Sequence, residues 1–186
     1  MKAFKVALCS ILLFALSVSD ICEAIEIPKR HYVAPDVLNG EQAAEIECLA
    51  KNIYFEAGNQ GIRGKFAVAF VTLNRAKSGM FPSNVCDVVY QAKYKRSKTD
   101  RTKWVPIKNT CNFSWHCDPT KGEITEPETW DESFKVAYYL YYYRNKVYDI
   151  TEGALFYHAN YVNPHWVKSM EKTVTVQTHI FYKLRS

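Results

Sequence analysis

Cys48-Leu49-Ala50-Lys51-Asn52-Ile53-Tyr54-Phe55-Glu56-Ala57-Gly58 is the stretch around which the chain is organised. Ile46, Leu49 and Ile53 recur at helical spacing, and the next position on that apolar stripe is Glu56. A carboxylate on a helix's buried face is costly to keep ionised, so its pKa is expected above the usual carboxylate range. Gly58 stands where a C′ glycine would end the helix. An acid at the inner end of a buried helix suits general-acid chemistry, and it equally suits a structural acid paired in a core. Spacing alone leaves both open.

The 186 residues correspond to one domain of ordinary size. Residues 1–24 have the form of a signal peptide, with Lys2 and Lys5 ahead of an apolar run from Val6 to Val18 and Cys22-Glu23-Ala24 as the cleavage site. That run is too short for a membrane span. The expectation is an exported, monomeric chain with no stable span after cleavage, acting in the periplasm or in the extracellular cell wall. Residues 25–40, with Pro28 and Pro35, read as an extended leader, and residues 41–186 as the folded domain.

Beyond the signal, Cys48, Cys86, Cys111 and Cys117 remain. An exported context predicts two disulfides among them, with three connectivities open. The rival is a zinc site, suggested by His116 beside Cys117, but no CxxC pair supports it. The net charge of +5 favours an anionic partner such as a wall polymer. Its basic residues cluster at Lys93, Lys95, Arg96, Lys98, Arg101 and Lys103, which share their stretch with only Asp100, so residues 93–108 are expected as a long exposed loop. Thirteen Tyr and four Trp fit a carbohydrate cleft and a plain core equally well.

Periodicity predicts helices over 41–57, about 62–77 and 127 to about 145, and a short helix near Val85 capped by Ser83. Strands are expected over 154–158, 172–177 and 180–182. The Tyr-rich end of the third long helix, Tyr138 to Tyr143, reads as packing. The fold class is therefore α+β, a helix-rich single domain with a small β region.

Among chemistries, a cysteine nucleophile conflicts with disulfide bonding, and no serine sits in a nucleophile elbow. His158 and His165 match no metal signature, and the export signal argues against nucleic acid as a partner. Neither a metal nor a cofactor is expected. Glycoside chemistry centred on Glu56 remains. Two-carboxylate hydrolysis needs a second acid, but position 60 is Gln, and Asp87 and Asp118 lie on other segments. A lone acid can instead protonate the glycosidic oxygen and then draw a sugar hydroxyl onto the anomeric carbon.

The ordered motifs resemble the SleB-type cell-wall hydrolases, the family of spore-cortex-lytic enzymes. They are Cys48-Leu49-Ala50 with Ile53-Tyr54-Phe55-Glu56-Ala57, Ala67-Val68-Ala69 with Val71-Thr72-Leu73-Asn74-Arg75, and Phe81-Pro82 with Val85 to Gln91. Cys111-Asn112-Phe113-Ser114-Trp115-His116-Cys117-Asp118, Gly153 to Ala159, Pro164 with Trp166, and His179 to Tyr182 follow in order. The resemblance implies a lysozyme-like fold acting on peptidoglycan glycan strands, with Glu56 as the catalytic acid. It further implies lytic transglycosylase chemistry that leaves 1,6-anhydro-muramic acid ends. Asn74, Asn112, Phe113, Ser114, Trp115, Tyr157, His158 and Tyr182 are the expected substrate-binding residues. A structural hydrogen-bonding pair is the alternative for Asn74 with Arg75, and local packing or loop support is the alternative for Ser114, Trp115 and His158. Two departures stand out. The family often has Glu-Ala-Arg-Gly-Glu where this chain has Glu56-Ala57-Gly58-Asn59-Gln60, and commonly Gln where this chain has Asn112. The alternatives are muramidase-type hydrolysis and a non-catalytic peptidoglycan-binding protein on the same scaffold.

Overall fold

The computed structural model describes residues 39–185; the segment expected as a signal peptide and nearly all of the expected leader lie outside the described residues. Helix α1 spans Gly40–Ala57, and the Asn39 side chain caps it by accepting from the Gln42 amide at 2.8 Å. Helix α2 spans Ile62–Lys77, as its apolar spacing predicts, and Gly79 follows with φ +72°. Helix α4 spans Pro127–Tyr143 and runs into a 3₁₀ turn over Arg144–Lys146, so the α-helix stops short of Asn145. Ile46, Leu49 and Ile53 of α1, Phe66, Ala69 and Phe70 of α2, and Val136, Ala137 and Leu140 of α4 form one buried core. The apolar stripes of the three helices have no other place to leave water.

Polar side chains fix how the helices join. The phenol oxygen of Tyr54 accepts from the amides of Thr125 and Glu126, both at 3.1 Å, and so satisfies the start of α4, where Glu126 makes no side-chain cap. Glu45 of α1 accepts from the Val85 amide (2.6 Å) and from the Tyr141 hydroxyl (3.2 Å). Burial together with that carboxylate pushes the Tyr141 phenol up to about 12. The tyrosine run of α4 thus includes packing contacts, as expected. Lys65 of α2, buried, is paired with Glu132 of α4.

Three local expectations need correction. Gly58 closes α1 in right-handed conformation, φ −56° and ψ −38°, so it is not a left-handed cap. Its need for glycine is close approach: a Cβ there would lie 2.4 Å from the Tyr54 carbonyl oxygen and 3.2 Å from Cγ2 of Thr129. The short helix α3, Val85–Val89, is capped by Asn84 rather than Ser83, through the Asp87 amide at 2.7 Å. Residues 93–108 are not an irregular loop. They form an antiparallel hairpin of β1 (Tyr94–Arg96) and β2 (Trp104–Pro106), with Arg96 opposite Trp104. Cross-strand pairing hidden by a lysine-rich composition accounts for the difference.

The second layer is an antiparallel sheet of β3 (Phe156–Ala159), β4 (Met170–Val176) and β5 (His179–Leu184), ordered β3-β5-β4. A register shift between Lys172 and Thr175 marks a bulge in β4. Phe181 and Val176 pack with Ala67 and Val71 of α2 in a smaller core that docks the sheet on the helices. At the β4–β5 turn Gln177 adopts φ +51°, and its amide fills the space that a Cβ on Gly61 or Gly64 would occupy, at 2.7 and 2.3 Å. Among the described residues no helix is long and apolar enough to cross a membrane.

The cysteines pair as Cys48–Cys86 and Cys111–Cys117. Both disulfides were expected, and the structure supplies their connectivity. With all four sulfurs bonded, no thiolate remains for the zinc alternative.

Candidate active site

Glu56 sits at the last turn of α1, where the helix layer meets the edge of the sheet. It reaches a cleft of about 640 Å³ whose wall includes Phe55, Gln60, Arg75, Asn112, Ser114, Trp115, Asp118, Tyr157 and His179. The Tyr157 hydroxyl, from β3, donates to Oε2 of Glu56 at 2.9 Å. Burial pushes the Glu56 carboxyl above the usual carboxylate range, opposed by the Tyr157 hydrogen bond and the Arg75 charge. Burial, then the Glu56 charge, hold the Tyr157 phenol well above its ordinary value, so it stays a donor. With Oε2 accepting from Tyr157, the acid's own proton belongs on Oε1.

Arg75 lies on the cleft floor, although it is not among the residues expected to bind substrate. Its guanidinium rests between the rings of Phe113 (4.8 Å), Phe81 (5.0 Å) and Phe156 (6.0 Å). Nε donates to the Leu155 carbonyl at 2.8 Å, while the buried Nη1 has no hydrogen-bond partner among the described residues. Burial lowers its pKa, and the Glu56 carboxylate opposes that shift. Asn74, one residue earlier on the helix, points elsewhere. Its amide donates to Oδ2 of Asp149 (2.8 Å) and to the Ala154 carbonyl (3.2 Å), fastening the loop ahead of β3. Asn74 is not on the cleft wall, which corrects its assignment as a substrate-binding residue.

Residues 111–117 form a disulfide-closed loop ending in a 3₁₀ turn over Ser114–Cys117. Asn112 and Ser114 are exposed on the cleft wall, with the Asn112 amide bonded to the Gln91 side chain. Phe113 is buried under Arg75, so it supports the site without lining it. Trp115 lines the cleft but is mostly covered by Phe55, with ring centroids 4.7 Å apart and planes 23° apart. Its Nε1–H donates to Asn52 at 2.9 Å, and the Asn52 amide donates to Thr72 of α2 at 3.0 Å. Asn52 therefore bridges α1, α2 and the cleft loop within the core. Asn52→Ala leaves the buried indole N–H unsatisfied and is expected to cost about 2–3 kcal/mol, measured by urea unfolding.

Strand alternation separates two residues that the sequence reading placed side by side. Tyr157 shares its face of the sheet with Phe181, its cross-strand partner, while His158 faces the opposite way. His158 touches the cleft edge, but its ring is stacked on Tyr182 at 5.3 Å and meets Trp166 edge-on at 5.6 Å. Nδ1 lies 2.8 Å from the Ala159 carbonyl, which can only accept, so Nδ1 carries the hydrogen. Nε2 meets the Tyr182 hydroxyl at 2.9 Å. Tyr182 is buried in this buttress and absent from the cleft wall, a third correction after Asn74 and Phe113.

Other cleft residues lay beyond the sequence reading. Phe55 presents an aromatic ring beside Glu56, and Tyr161, 84% exposed, stands at the rim. Asp118, a candidate second acid, lies on the cleft wall; the Thr120 hydroxyl (2.7 Å) and amide (3.0 Å) hold it below the usual carboxylate range. Asp87 does not; it is occupied at the start of α3. Gln60 lines the cleft in place of the expected second glutamate, its amide donating to Asn59 at 3.0 Å.

With this geometry in place, the likeness to known proteins is informative. The chain is 26% identical over 105 residues to the spore cortex-lytic enzyme of Oceanobacillus iheyensis, covering 56% of this chain and 35% of that protein. It is 35% identical over 63 residues to the spore cortex-lytic enzyme of Bacillus subtilis, covering 34% of this chain and 21% of that protein. The matched stretches thus span about a third or less of these relatives' length. The catalytic domain of the germination-specific lytic transglycosylase SleB from Bacillus anthracis superposes with TM-score 0.54 at 22% identity, covering 79% of this chain and 100% of that domain. The catalytic domain of Bacillus cereus SleB superposes with TM-score 0.53 at 21% identity, covering 81% and 98%. These superpositions establish the lysozyme-like, helix-rich fold. The family description "cell wall hydrolase" matches residues 59–182, beginning three positions after Glu56. That match spans about two thirds of the sequence, and the chain belongs to the cell wall hydrolase family.

Proposed function

We propose that the protein cleaves the glycan strands of peptidoglycan by lytic transglycosylation, acting at the cell wall outside the cytoplasm. The observation that carries this reading is the Glu56 carboxyl, held by Tyr157 on the wall of an open cleft, with its pKa raised by burial. Glu56 gives its Oε1 proton to the oxygen that links muramic acid to the next sugar, and the C1–O bond breaks as that oxygen leaves as a hydroxyl. The resulting carboxylate is stabilised by the Tyr157 hydroxyl and the Arg75 charge. It then takes the proton from the muramic 6-hydroxyl as that oxygen bonds to C1. The product is a 1,6-anhydro end, Glu56 is reprotonated, and no water is consumed.

A second reading, muramidase-type hydrolysis, draws on Asp118. It is a carboxylate kept ionised on the same cleft wall, able to stabilise positive charge at C1 while water attacks. Mass spectrometry of digested sacculi distinguishes the two. Anhydro-muropeptides are expected; products one water heavier assign hydrolysis, and the absence of released muropeptides removes the enzymatic reading.

A further inference from the structure

The hairpin that replaces the expected loop carries a larger net positive charge than the whole chain. Residues 93–108 hold seven Lys or Arg and one Asp, a net +6 against +5 for the protein, so the remainder is −1. A charge so concentrated sets up a local field, whereas the same charge spread over the surface would not. Two of its charges serve the hairpin itself. Arg96 lies over Trp104 at 4.5 Å and donates to the carbonyls of Arg101 and Thr102, and Lys103 pairs with Asp100 at 3.3 Å. Lys95, Lys98 and Arg101 are exposed and have no carboxylate partner among the described residues.

The hairpin is also attached to the wall of the cleft. The Lys93 amide donates to Thr110 Oγ1 at 3.0 Å, and the Asn112 amide donates to the Gln91 carbonyl at 3.1 Å. The Tyr94 hydroxyl donates to the Tyr90 carbonyl at 2.6 Å and meets His116 Nε2 at 2.9 Å. At its base, Lys108 and Asn109 line a groove of about 520 Å³ that shares Cys111, Ser114 and Asp118 with the cleft.

From this continuity we infer that the hairpin docks the carboxylates of the peptide stems borne by the same glycan strand that occupies the cleft. This inference rests on the glycan-cleavage reading. Stems branch from every second sugar of a peptidoglycan strand and carry free carboxylates, so a strand in the cleft supplies an anionic row at fixed spacing beside the hairpin.

The test compares the wild type with a Lys95→Ser, Lys98→Ser, Arg101→Ser triple variant on intact sacculi and on strands stripped of stems by an amidase. On intact sacculi KM rises about tenfold in the variant with kcat preserved, as three exposed ion pairs of a few-fold each would give. The difference fades with added salt. On stripped strands the two proteins have the same KM. Equal KM values on intact sacculi, or an equal rise on both substrates, overturn the inference. So does a difference that vanishes when phosphodiester polymers are removed with hydrofluoric acid, since that treatment leaves the stems. If the wild type cleaves neither substrate, the catalytic reading has failed on its own. Co-sedimentation of the Glu56→Gln protein and its triple variant with intact and stripped strands still decides the hairpin's role: stem-dependent binding lost in the variant supports it, and unchanged binding overturns it.

Discussion

Glu56→Gln is expected to lower the release of muropeptides by about two to four orders of magnitude, the scale of a lost general acid. The amide keeps the size of the side chain and can still accept from Tyr157 through its oxygen, so the cleft should survive. Stability gives an independent check on the same residue. Burial raises the folded-state pKa of Glu56, so its contribution is fully present below the ordinary carboxylate pKa and is lost as pH rises through the folded value. Gln has nothing to ionise. The variant should therefore gain stability relative to wild type as pH rises through that window, read from urea midpoints at several pH values. Retained cleavage in a folded variant sinks the catalytic assignment. A pH-independent stability difference shows that Glu56 is not held in its neutral form.

Arg75→Met should have the next largest effect, and on two observables. It removes the hydrogen bond to the Leu155 carbonyl and the contacts with three phenylalanine rings, a loss of about 2–4 kcal/mol in chemical denaturation. It also removes the positive charge that pulls the Glu56 pKa downward against burial. A protonated acid is needed for cleavage, so activity falls as pH rises through the Glu56 pKa. Without Arg75 that fall must come at higher pH. Initial rates of sacculus clearing against pH measure it, with Arg75→Lys as the control that keeps the charge and leaves the limb in place. A limb that stays put, or moves down, shows that Arg75 only fills space.

Much of the helical layer was legible in the sequence because apolar spacing is a local property. Helix α2 begins and ends where its pattern predicts, and Glu56 falls on the α1 stripe that the spacing traces. The site was only partly legible. Motif adjacency suggested that Asn74 and Arg75 act together, yet successive helical residues point about 100° apart. Asn74 fastens a loop, and Arg75 faces the cleft. The same logic on a strand separates Tyr157 from His158. Asn52 gave no local sign of its bridge, because its partners Trp115 and Thr72 lie 63 and 20 residues away. The hairpin was missed because its pairing residues are dispersed among lysines, and composition reads such a stretch as solvated.

The Glu56–Tyr157 hydrogen bond joins residues 101 positions apart. Both disulfides close within residues 48–117, so the covalent constraint covers the helix that carries the acid but not the strand that orients it. Closing so long a loop is among the later and entropically costlier steps of assembly. Oxidation can thus secure the acid's half of the molecule before the acid has its partner. The acid meets its partner only when the sheet docks, through contacts such as Phe181 against Ala67 and Val71. A partly folded chain can hold both staples while its acid still lacks a partner.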